Sequence, residues 1–408
     1  MRPGRAGAML LAMLVLAVGL VSSAPAGAAP GPAEIEAKEW IVVDARGGDV
    51  LASRGAERRV SIASATKLMT AYVAMKELEL DQVVRAAPYE ALYGESLMGL
   101  RTGERVSVRD LLFGLILISG NDAAHTLAIA AAGSEDRFVA QMNRYAAALG
   151  LADTHYANPI GLDEPGNFST AADLATLTRR LLRIPAFAEI ADAPTALLRS
   201  LRPRRRIETL NDLLYMVPWA TGVKTGHTFD AGYVLIASGE RDGVELVSVS
   251  LGGPTEESRF ADSLKLLEYG LSQYRRRLPI RAGRTLAEPE IRYSGGALPL
   301  RAEQSLQVGL RQGQRLDLRI AAPDEVEGPV RRGARLGRAA VFVDGRRVGS
   351  VPLLAGRDVP EASAFDLART FLADNSIPIA VAAFVILMVA GTLLRRLARR
   401  NELRSRIG

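Results

Sequence analysis

Residues 377–394, IPIAVAAFVILMVAGTLL, run for eighteen positions without a charge. As a helix rising ~1.5 Å per residue this stretch is ~27 Å long, close to one bilayer core. It has no polar face, which separates it from a helix that lies on a membrane surface. Directly after it comes RRLARRNELRSRIG, with six Arg and one Glu. The positive-inside rule puts this tail, 395–408, in the cytoplasm and everything before the span outside.

The other end agrees with export. Arg2 and Arg5 precede an apolar stretch from Ala8 to Val21, and small residues follow at Ala26-Gly27-Ala28. That is the pattern of a secretory signal peptide, 1–28, cut near Ala28 or Ala29; the apolar stretch is short for a span. Of the formal net charge of +6, residues 1–28 carry +2 and the tail +5, which leaves −1 for residues 29–394. The basic balance therefore reflects membrane topology, and no nucleic-acid partner is expected. The chain has no Cys, so disulfides and Cys metal sites are excluded.

Between the ends, EWIVVDARGGDVLAS (39–53) predicts a hairpin across Gly47-Gly48-Asp49. SIASATK opens a helix to about Glu77, and VRDLLFGLILIS (108–119) reads as a buried helix. Gly120 and Asn121 interrupt the pattern before DAAHTLAIAAA resumes it. Ser134 is expected to cap a helix to about Leu149, Ser169 or Thr170 one to about Leu182, and Thr255 one to about Tyr274. AGYVLIAS (231–238) and VELVSVSLG (244–252) form a second β pair. Strands at both ends with helices between predict an α+β fold, one antiparallel sheet with helices packed on it. Residues 279–356 read as a small all-β domain, with a hairpin across Asp344-Gly345. Residues 357–376 read as a linker to the 377–394 transmembrane helix.

Lys67 stands at the head of a helix that is apolar nearly all round, and Ser64 lies three residues earlier. Positions i and i+3 share a helix face, ~5–6 Å apart at Cβ. A serine hydroxyl is a poor nucleophile until a base takes its proton, and a lysine desolvated among apolar neighbours can serve as that base. Ser-x-x-Lys alone occurs by chance in many proteins. Two further motifs accompany it. Ser119-Gly120-Asn121 sits in the break between two apolar helices, where a polar triplet points into a cleft as readily as it caps a helix. Lys224-Thr225-Gly226 precedes the second β pair, where Lys and Thr can hold a carboxylate and Gly admits a substrate backbone, or where the three simply make a solvated turn. The order S-x-x-K, S-x-N, K-T-G is far more specific than any one of them.

With these motifs the chain resembles the D-alanyl-D-alanine carboxypeptidases of the low-molecular-weight penicillin-binding protein family. ALGLADTHYANPIGLDEPGNFSTAADLA (148–175), AGYVLIAS and ESRFADSLKLL (257–267) carry the similarity further, over roughly 33–275. The resemblance implies the serine β-lactamase/transpeptidase-like fold. It implies Ser64 as the acylated nucleophile, Lys67 as its base and Ser119 as a proton relay to the leaving group. Asn121 would bind the substrate peptide, and Lys224 and Thr225, with Gly226 beside them, its terminal carboxylate. The backbone N–H groups of Ser64 and His227 would form the oxyanion hole. Arg259 matches a family arginine near the carboxylate site, and His125 and His155 read as structural. The implied substrate is the peptidoglycan pentapeptide, with β-lactams as inhibitors, and the Ser–Lys chemistry calls for no metal or cofactor. Leu210 departs from the family, which often has Arg just before the Asn at 211.

Three other readings use the same residues: a D,D-endopeptidase, a β-lactamase, for which Asp163 and Glu164 before Asn167 are a superficial match, and a catalytically dead cell-wall scaffold. Ser64, Lys67 and Lys224 are all present, which speaks against the last. The β domain and span are unusual additions for a soluble lactamase.

Overall fold

The computed structural model of the protein describes residues 31–293 and 295–405; the expected signal peptide lies outside them. At the centre is a five-stranded antiparallel sheet, in the order Val50–Arg54, Glu39–Asp44, Val244–Gly253, Gly232–Arg241, Ala220–Thr228. The first hairpin and the later strands therefore meet in one sheet. Side chains alternate across it: Val234 and Ile236 enter the main helical core, whereas Leu235 and Ala237 pack with Phe260, Leu267 and Leu271 of the helix Glu256–Ser272. Both faces are covered, which is why YVLIAS reads as a continuous apolar run. The α+β expectation holds.

The helical side is built round Lys67–Glu77, whose Leu68, Met69 and Val73 are fully buried. At ~1.5–3 kcal/mol each, these three are of the same order as the several kcal/mol it costs to bury one ammonium. The helix starts later than the sequence suggested. Ser64 lies in a preceding 3-10 turn, Ala63–Thr66, and Lys67 is the first α-helical residue. Likewise Val108–Leu117 ends two residues early, and Asn121 itself begins the next helix, Asn121–Ala132. The caps follow the expected chemistry: Ser134 accepts from Arg137 N, Thr170 rather than Ser169 accepts from Asp173 N, and Thr255 accepts from Ser258 N in a reciprocal capping box. The third helix ends at Ser272, just short of Tyr274.

From Arg275 onward the chain is β. Arg275–Ile280 pairs with Leu306–Leu310, and a second five-stranded sheet runs Thr285–Ala287, Leu300–Ala302, Arg346–Ala355, Arg335–Val343, Leu316–Ala321. Its core includes Ile280, Leu298, Val341, Val351 and Leu353. Asp344 and Gly345 both take left-handed φ, 49° and 77°, as a type I′ turn requires. Polar contacts join this part to the first: Arg276 Nε donates to Asp242 at 2.6 Å, and Arg346 Nη1 donates to the Gly47 carbonyl at 3.2 Å.

Where a linker was expected, Ser363 caps an 11-residue helix, Ala364–Asp374, with Phe365, Phe371 and Leu372 exposed. The helix Ser376–Ser405 follows. Its segment Ile377–Leu397 has a mean hydropathy of 2.6 and none of it is buried in the protein, as suits a membrane anchor.

Candidate active site

Ser64 and Lys67 are held together by the 3-10 turn, in which residues three apart eclipse each other. Ala63, just before Ser64, takes a left-handed φ of 48°, a costly conformation for a residue with a Cβ. Lys67 Nζ lies 2.9 Å from Ser64 Oγ and donates to the Ile160 carbonyl. The side chain is wholly buried, and loss of hydration lowers its pKa to about 7, with Glu95 and Asp122 pulling in the opposite direction. An ordinary lysine at pH 7 is neutral in about one molecule in 3,000; at a pKa of about 7, roughly half are.

The edge strand Ala220–Thr228 passes beside this turn. Lys224-Thr225-Gly226 lies inside the strand, not in a solvated turn, and Lys224 is 1% exposed. Register sorts its side chains. Lys224 and Gly226 lie opposite Ile236 and Val234, which face the helical core, while Thr225 and His227 lie opposite Leu235 and Tyr233. Gly226 abuts the Ser64 turn: a Cβ there would stand 3.1 Å from Ser64 N. Lys224 Nζ donates to the Thr225 carbonyl at 2.7 Å, and burial first, then Lys67 and Arg259, push its pKa well below the ordinary lysine value.

On the other face, the His227 ring stacks on Tyr233 at 4.1 Å, and the Arg259 guanidinium lies 5.5 Å from the Tyr233 centroid. Arg259 is buried, not on the helix surface. It pairs with Glu256, while its Nε has no partner among the described residues. Ser119 is buried at φ 59° in the break between helices, next to Gly120 and Asn121. Asn121 lines the same cleft as Ser64 and His227.

The acidic residues of DEPGN have other partners. Asp163 accepts from Thr228 Oγ1 at 2.7 Å and from Asp230 N at 3.1 Å, and Glu164 accepts from Asn158 Nδ2 at 2.9 Å. Among the described residues neither bonds Ser64 or Lys67. His125 pairs with Glu135 and His155 with the Gly166 carbonyl, both away from the cleft.

The opposite wall of the cleft, a space of about 220 Å³, comes from Leu92–Ser96, with Ile160–Leu162 on a third side. Sequence reasoning found no site residue in this wall. Yet Glu95 accepts from Asn121 Nδ2 at 2.7 Å. Asp122 accepts from Met98 N at 2.7 Å and Leu100 N at 2.8 Å. Arg205 grips the Gly99 carbonyl at 2.6 Å and Glu104 in a two-pronged pair at 2.8 Å. No periodicity marks residues 78–107, because the segment is tied by side chains to distant elements. Only the position of Asp122, directly after Asn121, offered a hint.

Comparison with known proteins gives a consistent result. Residues 26–255 match the D-alanyl-D-alanine carboxypeptidase family of S11 peptidases, and residues 274–361 match the C-terminal domain of penicillin-binding protein 5. The D-alanyl-D-alanine carboxypeptidase DacA of Escherichia coli is 33% identical over 352 residues, 82% of this chain and 87% of that protein. DacF of Bacillus subtilis, also named a D-alanyl-D-alanine carboxypeptidase, is 28% identical over 381 residues, 90% of this chain and 98% of that one. The structure of penicillin binding protein 5 from Haemophilus influenzae superposes with a TM-score of 0.57 at 28% identity, covering 82% of this chain and 100% of that one.

Proposed function

The chain belongs to the D-alanyl-D-alanine carboxypeptidase family of serine peptidases, and we propose that it removes the terminal D-alanine of peptidoglycan pentapeptides through an acyl-enzyme on Ser64. The observation that carries this reading is the 2.9 Å approach of Lys67 Nζ to Ser64 Oγ with Lys67 fully buried. A base with a pKa near the working pH is both free to accept a proton and basic enough to take it.

Lys67 takes the hydroxyl proton as Ser64 Oγ attacks the carbonyl of the penultimate residue. The N–H groups of Ser64 and His227 receive the developing oxyanion. Ser119 passes a proton to the departing D-alanine amine, and water then hydrolyses the ester. Asn121 holds the peptide. Lys224 and Thr225 hold the terminal carboxylate, with Arg259 adding charge from the far side of the edge strand. A bound carboxylate supplies the counter-charge that buried Lys224 lacks among the described residues. A β-lactam that mimics the substrate end acylates Ser64 in the same way.

In the same reading residues 33–275 are the catalytic domain and 279–356 a β module. The Ile377–Leu397 helix crosses the cytoplasmic membrane, with the catalytic part outside. The test is intact-mass spectrometry of the protein with penicillin, beside Ser64→Ala. A stable adduct on the wild type alone supports the reading. Hydrolysed penicillin with no adduct points to a β-lactamase, and intact penicillin with no adduct to a scaffold.

A further inference from the structure

Glu95 is the only acidic side chain among the described residues that line the cleft. Its oxygens are fully engaged: Oε1 accepts from Leu92 N at 3.0 Å, and Oε2 accepts from Asn121 Nδ2 at 2.7 Å and from the Tyr89 hydroxyl. Burial works against its charge, but the hydrogen bonds from Asn121 and Tyr89 prevail and hold its pKa below the usual glutamate value. An ionised carboxylate can only accept. The Asn121 group that faces it is therefore the NH₂, and the planar amide turns its oxygen away from Glu95.

We propose that Glu95 is a positioning residue for acylation: it locks the Asn121 amide so that Oδ1 is left to accept a substrate N–H. This rests on Asn121 as a substrate-binding residue, the reading given above. The wall that carries Glu95 is itself fixed. Asn121 N donates to the Ser96 carbonyl at 2.8 Å, and Asp122 and Arg205 hold Met98 to Leu100. A locked amide need not be reoriented when substrate arrives.

Glu95 also acts on Lys67 by charge. Glu95 and Asp122 favour the ammonium form of Lys67, Lys224 faces Lys67 from the edge strand, and Tyr89 caps the Glu95 carboxylate. Loss of the Glu95 charge leaves Lys67 easier to deprotonate.

The experiment measures the second-order rate of acylation by a fluorescent penicillin, across the pH range around neutrality, on the full chain in detergent. The variants are Glu95→Gln, Glu95→Ala, Asn121→Ala and the double alanine variant. Glu95→Ala is expected to slow acylation about tenfold. In the Asn121→Ala background the same change is expected to cost less than about twofold. Glu95→Gln can still accept from Asn121, so it keeps more of the rate, while its rising pH limb moves to lower pH. A Glu95→Ala enzyme as fast as the wild type, or losses that multiply in the double variant, overturns the proposal. If Glu95→Ala does not fold, an unmoved pH limb and unchanged rate in Glu95→Gln overturn it instead. A wild type that penicillin does not acylate overturns the functional reading and this proposal with it; an acylated wild type with indifferent Glu95 variants sinks this proposal alone.

Discussion

Gly226 lies so close to the Ser64 turn that a Cβ on it would stand 3.1 Å from Ser64 N and 3.2 Å from Ala63 Cβ. That approach brings the edge strand and the Ser64 turn to one cleft. Gly226→Ala must open it by a few tenths of an ångström. Because misplacement of reacting groups is costly, acylation by penicillin should fall by about ten- to a hundredfold. The melting temperature should move little, since a displaced edge strand leaves the core intact.

In the proposed mechanism Lys67 sets the pH dependence. The base must be neutral, so acylation should rise with pH through about 7 and then level off. Lys67→Arg keeps a cation that does not deprotonate and should cost ~10²–10⁴-fold. Stopped-flow acylation with pH as the variable reads both; a flat profile across neutrality would rule out Lys67 as the titrating base.

The same burial has a stability consequence. The folded pKa of Lys67 is depressed, so between about 7 and the ordinary value of 10.5 the unfolded chain binds more protons, and this group's contribution to stability rises with pH across that window. The displacement corresponds to about 5 kcal/mol in favour of the neutral amine. Lys67→Met removes it and leaves the Ile160 carbonyl unpaired, at about 1–3 kcal/mol. Lys67→Met should therefore melt higher than the wild type at neutral pH while taking no penicillin. Calorimetry beside mass spectrometry checks the pair of outcomes, and a lower melting temperature would contradict the burial argument.

Asp122 is buried and accepts from Met98 N and Leu100 N as well as from Ala123 N. Asp122→Ala leaves two backbone donors from the cleft wall without partners, at about 1–3 kcal/mol each. Urea unfolding should show a loss of about 2–5 kcal/mol on that basis, and hydrogen exchange should quicken at Met98 and Leu100. A loss within experimental error would mean that the wall is held by Arg205 and Glu104 instead.

A stop after Asn375 removes the Ile377–Leu397 segment and should move the protein from the membrane to the soluble fraction. Retention of the shortened chain on membranes would show that the exposed Phe365, Phe371 and Leu372 of the preceding helix anchor it independently.

Much of this is legible in the sequence. Ser134 and Thr255 cap helices because a hydroxyl before a helical run meets free N–H groups wherever the chain folds. Asp344-Gly345 turns because few residues other than Asn, Asp and Gly accept left-handed φ. The Ser64–Lys67, Ser119–Asn121 and Lys224–Gly226 motifs could be picked out because their order is specific, although each alone is open to a purely structural explanation. The helix in 364–374 was missed, since its apolar residues sit among charges in a short segment and none of them is buried.

What the sequence determined by itself was local: caps, turns, apolar periods and the identity of reactive groups, all set by chemistry within a few residues. Tertiary structure decided which of those groups are dry and which face each other. Lys67 is an ordinary lysine in an isolated chain. Its pKa falls to about 7 because Leu68, Met69 and their neighbours bury it away from water, while the Ile160 carbonyl, from a distant loop, accepts a hydrogen bond from it. Lys224 reads as a turn residue until strand register directs it toward the helical core. Glu95 meets Asn121 across 26 residues with no pattern to announce it. Desolvation and long-range hydrogen bonds depend on what packs from elsewhere in the chain, and that information is not local.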